Sequence, residues 1–552
     1  MTLRFRFLVA ILPIVISLCA HAGSPGKGAR ATALTTQANV TYHPFLINSV
    51  FNYYANNGDG SFNRYSTNNE GFEFVKGSGK TLIFEDGVIW GGYHRGYSTR
   101  DVKGNTIPLA KVGGSVYRHG LQPGPITQYG TASSGPLAAD PSDPANRVYR
   151  VRPDISPNVP FESVQDKLGT DEVQYISRYE SVTARTIYDQ YLKDWNEWPA
   201  SLGAPFTYGR DAGGHQRVPP SSYDPRFDVP GKPGADQTLW YVANDVDTLT
   251  TAFLADSPPI GLEMQRTIWG YHRPGGISQS IFSSTILINK SGSPIDTMFF
   301  GQWSDPDIGD GGDDVVGCDT ARDMGYAYNG KPSDAVYGTL VPAAGFVMLQ
   351  GPIAPSPFDT AIFNMQRRPG YRNLRMTSFT LYYPEYNIYQ DPVSGAGGDL
   401  QWYRNLQGLT AATGAPYIDP ITNLPTKFPL SGDPVTKTGW YDPGYGLVPN
   451  DRRLMVSTGP VTMAPGDTQE IVVATAAGVG ADYISSVTVL RAMADLDRSA
   501  YGRLLAPPSP PPAPNVSVGQ LDGEIVLTWM PSQARESPRC RPRWITPAFV
   551  AP

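Results

Sequence analysis

Six aspartates crowd into fifteen residues: Asp305, Asp307, Asp310, Asp313, Asp314 and Asp319. They follow a strand-like run, with glycines between them, in Trp303-Ser304-Asp305-Pro306-Asp307-Ile308-Gly309-Asp310-Gly311-Gly312-Asp313-Asp314. Carboxylates this close repel one another unless a cation or hydrogen-bond donors neutralise them. Interspersed glycine lets such a loop wrap inward. An all-oxygen donor set suits Ca²⁺, which takes about six to eight oxygen ligands. The spacing is not that of an EF-hand, since the twelfth position from Asp305 is Val316, not Glu. The plainer alternative is a solvated loop whose aspartates cap local turns. The expectation is a Ca²⁺ site drawn from these six residues.

Other chemistry is harder to find. Lys76-Gly77-Ser78-Gly79-Lys80-Thr81 resembles a phosphate loop, but Phe74 stands where that motif needs its first glycine. Neither a His-Glu-x-x-His zinc motif nor a Gly-x-Ser-x-Gly elbow occurs. Trp90, Trp195, Trp198, Trp240, Trp269, Trp303, Trp402 and Trp440 are candidates for a sugar-binding platform, with core packing the commoner fate of Trp. A glycosidase would need two flanking carboxylates, and with 50 acidic residues the sequence singles out no pair.

The N-terminus supplies the compartment. Arg4 and Arg6 precede an apolar run from Phe7 to Ala20, and Ala20-His21-Ala22 is a small-x-small cleavage pattern. The run is shorter than the roughly 20 apolar residues a bilayer span needs. Residues 1–22 are therefore expected to be a signal peptide, with no membrane span in the mature chain. Losing Arg4 and Arg6 takes the net charge from −6 to −8. With no basic stripe, nucleic acid is not an expected partner. Only Cys318 and Cys540 follow the cleavage site, so no disulfide framework is expected.

Composition and pattern set the fold class. The 552 residues include 58 Gly, 52 Pro and 31 Tyr, and only 17% are charged. Many turns and aromatics with few charges fit a β protein with long ordered loops, not a disordered chain. Leu239 and Tyr241 alternate with Trp240 and Val242, and Leu262, Met264, Arg266 and Ile268 fall on one face. Runs at 280–289 and 295–303 flank the turn Lys290-Ser291-Gly292-Ser293-Pro294 and predict an antiparallel pair. Asp86-Gly87 similarly predicts a hairpin between 81–84 and 88–90. Helices are expected only near 179–195 and 481–504. The class is mainly β, with antiparallel β-sandwich domains, long Gly/Pro-rich loops and few helices. After the signal peptide come a flexible leader (23–40), a β-sandwich-rich body of two or more subdomains (41–505), a proline linker (506–514) and a C-terminal segment (515–552).

In that last segment, Val516, Val518 and Leu521 precede Asp522-Gly523 and Glu524-Ile525-Val526-Leu527-Thr528-Trp529. This resembles the first two strands of a fibronectin type III module, truncated near Met530. Larger blocks carry a second resemblance. They include Gly71-Phe72-Glu73-Phe74, Trp198-Pro199-Ala200-Ser201-Leu202, Asp236-Gln237-Thr238-Leu239-Trp240, Pro259-Ile260-Gly261-Leu262-Glu263, Trp303 to Asp307, Val316 to Thr320, and Ala464-Pro465-Gly466-Asp467. Together they are similar to a family of large secreted bacterial β-rich proteins that often continue into a fibronectin type III module and a secretion-sorting domain. The resemblance implies architecture and an extracellular location. It implies no catalytic residues.

The leading expectation is thus a secreted, non-catalytic, Ca²⁺-stabilised β-sandwich protein that binds an extracellular polymer or a cell-surface component. The alternative is a secreted polysaccharide hydrolase with Asp or Glu catalysts in a Tyr/Trp-lined cleft.

Overall fold

Period-two patterning places Leu239, Tyr241 and Ala243 in the central core, and Trp240 and Val242 in a separate layer with Tyr149, Val151 and Trp198. The computed structural model describes residues 40–66, 71–100, 102–131, 133–273, 276–385, 387–505, 515–521 and 524–530. The expected signal peptide, nearly all of the leader, the proline linker and the tail beyond Met530 lie outside the described residues. Two compact units divide at Tyr501/Gly502.

The first unit is built on two antiparallel sheets. The larger runs Tyr149–Val151, Gln237–Asn244, Leu262–Gly270, Ser280–Asn289, Thr468–Gly478, Ala343–Gln350, Met324–Asn329 and Asp314–Asp319, with Gln122–Pro123 added beside Gln237–Asn244. The smaller runs Ser378–Tyr382, Arg453–Met463, Ile295–Asp305, Glu85–Arg100 and Thr106–Gly114. Their facing sides share one core, including Val88, Phe300, Leu381, Leu454 and Val456 from the smaller sheet and Met264, Leu287, Phe346 and Val473 from the larger. A cavity of only about 10 Å³ remains between the sheets, lined by Val88, Phe300, Met348 and Val473 among others. The expected sandwich architecture is present.

Two expected pairings are not. Ser280–Asn289 pairs with Leu262–Gly270 and Thr468–Gly478, whereas Ile295–Asp305 belongs to the other sheet. The turn at 290–294 therefore carries the chain across the core instead of folding it back. Buried Asn289 explains the crossing. Its side-chain amide donates to the carbonyls of Ser293 and Met463, 2.9 Å each, and its backbone bonds Gly466 and Asp467. One residue thus laces together two of the crossovers between the sheets, at 290–294 and 464–467. Likewise Asp86-Gly87 is no hairpin: Thr81–Ile83 pairs with Phe72–Phe74, and Glu85–Arg100 runs straight through. Gly87 is needed for contact rather than for turning. A Cβ there would lie 2.3 Å from the Ser115 carbonyl and 2.7 Å from the Trp303 indole nitrogen. That indole donates to the same carbonyl at 2.5 Å.

Helices cover the outer faces. Tyr483–Gly502 lies along the larger sheet, where Gly345 and Gly478 make room for Leu490. Thr248–Ala255 and Gly398–Leu406 cover the smaller sheet, packing Leu254, Trp402, Tyr403 and Leu406 against Ile89, Val112, Phe299, Trp303 and Met455. The sequence reading missed both, because eight or nine residues carry too little helical periodicity. The expected helix near 179–195 runs Ala184–Asn196, and its N-terminus is closed by a reciprocal Thr183–Thr186 capping box. Among the described residues no helix is long and apolar enough to cross a membrane. In the second unit, Asn515–Leu521 and Glu524–Met530 form an antiparallel ladder.

One helical residue yields a pH prediction. Asp497 is buried on Tyr483–Gly502, and desolvation pushes its carboxyl from 3.8 to about 7 against a single opposing hydrogen bond, 2.7 Å from the Ser280 hydroxyl. The folded value lies above the unfolded one, so the folded chain binds the proton more tightly. This term is harmless below about pH 4, grows as pH rises and levels off above about pH 7. Asp497→Asn should therefore melt above the parent at pH 8 and level with it at pH 4. The gain has an upper limit of about 4 kcal/mol. A gap between the two proteins that does not change with pH would contradict the argument.

Candidate metal centre

Strand register builds a row of charge at one end of the smaller sheet. Glu85 is the direct partner of Asp305, and Ser304 pairs with Leu454, so Arg453 stands one position on, beside Asp305. Arg453 in turn is the partner of Tyr382. Directly paired residues point to the same face, and like charges there repel. The face is the one covered by helices, where Trp303, Met455 and Tyr382 are buried. Two acids side by side in that layer need cations, and the fold supplies one to each.

Arg118 bonds Glu85 at 3.1 Å, with both side chains almost fully buried. Arg453 serves the other acid. Its Nε donates to the Tyr117 hydroxyl at 2.7 Å and lies 3.5 Å from Asp305 Oδ1. Its Nη1 reaches Asp391 at 3.3 Å and its Nη2 reaches Asp451 at 3.1 Å. The Tyr117 hydroxyl donates to Asp305 Oδ2 at 2.7 Å. Burial works against the charge on Arg453, but Asp305, Tyr117, Asp391 and Asp451 outweigh it and hold the guanidinium protonated well above its usual range.

Asp305, Asp307 and Asp451 each present a carboxylate oxygen such that the three lie within 4.8 Å of one another. Three converging carboxylate oxygens are the kind of donor that Ca²⁺ takes. Asp305 is fully buried, and its Oδ1 receives no hydrogen bond. Asp305, Asp391 and Asp451 thus gather around the Arg453 guanidinium, and Asp307 joins Asp305 and Asp451 in the oxygen cluster, a concentration of carboxylates of the kind a divalent cation binds.

The rest of the predicted set is arranged differently. Asp314 is buried in the adjoining loop, where its Oδ2 accepts from the Ile308 amide at 2.9 Å. Its carboxyl is pushed well above the usual range, by burial first and then by Asp307, Asp313 and Asp334. Asp313 is raised by burial and lies 3.4 Å from Lys331. Asp310 caps the short turn Gly311–Asp313 by accepting from the Gly312 amide. Asp319 points elsewhere, to Arg322 at 3.0 Å and Arg491 at 3.2 Å. The structure therefore brings Asp305 and Asp307 to one oxygen cluster, keeps Asp313 and Asp314 beside it, and gives Asp310 and Asp319 local structural work. Asp451, Asp391, Arg453 and Tyr117 escaped the sequence reading. Nothing in Asn450-Asp451-Arg452-Arg453 announces a partner near residue 305.

The other candidates resolve simply. All eight Trp of the proposed platform are buried, none more than 5% exposed. In the loop at 76–81, the amides of Gly77 and Gly79 donate to the Glu73 carboxylate at 3.1 and 3.2 Å, which occupies the place a phosphate would take. Cys318 is a buried free thiol. No protein-family model matches the chain, and no curated protein matches it.

Proposed function

We propose that this chain is an exported, non-catalytic β-sandwich protein that binds an extracellular polymer or a cell surface, with Ca²⁺ stiffening the acidic end of its smaller sheet. The observation that carries the reading is the Asp305–Asp307–Asp451 group. Its oxygens lie within 4.8 Å of one another. Arg453 and Tyr117 hold Asp305 in a buried layer, an arrangement suited to a structural ion rather than to proton transfer. The signal-like N-terminus, the similarity to secreted bacterial β-rich proteins and the fibronectin-like Asn515–Leu521 and Glu524–Met530 segment support the location.

The test is a panel of insoluble polysaccharides incubated with the purified chain. Retention on at least one polymer, without release of reducing sugar, is expected. Sugar release abolished by an Asp or Glu substitution would replace this reading with the hydrolase.

A further inference from the structure

A cleft of about 380 Å³ opens in the first unit between Tyr42–Phe45 and the helix Ala184–Asn196. That volume falls at the small end of ligand sites, which run from about 300 Å³ upward. One wall is aromatic: the Arg64 guanidinium lies 5.5 Å from the Tyr42 ring centre and 5.2 Å from that of Tyr65. Val40, Ile176, Val182 and Ile187 add apolar lining.

The polar groups alternate in kind. Arg64 and Arg150 donate only, Glu180 accepts, and Gln190, Ser181 and Thr186 can do both. His43 joins them as a neutral imidazole, its value lowered to about 3 by burial and then by Arg150. The cations are matched by carboxylates. Arg150 lies 3.5 Å from Glu172, and both Arg150 and Arg64 lower the Glu180 carboxyl that burial raises. The lining itself holds two cations and one carboxylate, with Arg150 further offset by buried Glu172, so no concentrated charge of either sign dominates it. It offers an aromatic wall and closely spaced donors and acceptors. Those are the needs of a ring with one apolar C–H face and a rim of hydroxyls.

We propose that this cleft holds one uncharged sugar unit of a polysaccharide, its ring against the Arg64–Tyr65 wall and its hydroxyls bonded by Glu180 and Gln190. The proposal rests on the polymer-binding reading and gives it a site and a ligand class. Arg64 is exposed, and Tyr65 and Glu180 are half-buried, with Tyr65 5.9 Å from the buried Tyr53 ring and Glu180 accepting from the Tyr53 hydroxyl at 3.4 Å.

The full chain is titrated calorimetrically with cello-, xylo-, manno- and chito-oligosaccharides and with oligogalacturonate. At least one neutral oligosaccharide should bind. Tyr65→Ala and Glu180→Gln should each weaken it about tenfold or more, the scale of losing a stacking contact or a charge-assisted hydrogen bond. Phe358→Ala, at a fully exposed position on a separate hairpin, should not, and circular dichroism of every variant at the assay temperature should match the parent. Neutral oligosaccharide binding unchanged in both cleft variants would overturn the proposed site and leave the polymer reading standing. Binding of oligogalacturonate alone, lost in Arg64→Ala but kept in Glu180→Gln, would overturn the uncharged ligand class. Failure of every oligosaccharide and every polymer to bind would overturn both readings.

Discussion

Arg453→Met, measured in chelator, should cost the folded state about 3–5 kcal/mol, the usual effect of stripping the cation from buried carboxylates. The side chain is 8% exposed and its three nitrogens address Tyr117, Asp305, Asp391 and Asp451. Met fills a similar volume, so little of the loss would come from packing. What remains is a set of acids in a layer with too little water to screen them. They must then either repel or take up protons. Arg453→Lys should recover only part of the loss, since one ammonium cannot reproduce a planar fork of donors. The control is Arg95→Met, which breaks a close pair with Asp296 at 2.6 Å whose side chains are 61% and 33% exposed. Exposed pairs contribute little, because solvent screens them. Urea denaturation of the three variants reads the difference directly. A loss in Arg453→Met no greater than in Arg95→Met would show that the buried row is not held together by this guanidinium.

The second large effect is that of Ca²⁺ itself. An ion that binds only the folded chain stabilises it by about 2.7 kcal/mol at a hundredfold excess over Kd. The melting temperature should therefore climb with Ca²⁺ and fall in chelator. Mg²⁺ should do less, because its shorter bonds of about 2.0–2.1 Å demand a tighter octahedron. Asp307→Asn should remove most of the increment, and so should Asp451→Asn. Asp319→Asn should leave it whole, because that carboxylate is committed to Arg322 and Arg491. Identical melts with Ca²⁺ and with chelator would remove the ion from the account. They would leave the cluster to its protein partners, Arg453 and Tyr117 among them.

Local features were legible in the order of the residues. Alternation over Gln237–Asn244 assigned Leu239 and Tyr241 to one face and Trp240 and Val242 to the other, because successive strand residues point oppositely. The helix Tyr483–Gly502 was legible for the same kind of reason, with Val487 and Leu490 on a stripe of its own. The crowding of aspartates from 305 to 319 was also plain to read.

Tertiary structure alone decided which strands meet. A Gly/Ser/Pro turn such as 290–294 has the same composition whether the chain folds back within a sheet or crosses to another. Here Asn289, bonded to carbonyls at two crossovers, ties the chain to the crossing path. Register then decided the candidate site. Asp305 meets Glu85, Arg453 and Asp451 because three strands distant in sequence end level with one another. Hydrogen-bonded ladders and burial set that alignment, and neither is encoded in the few residues around any one of the charges.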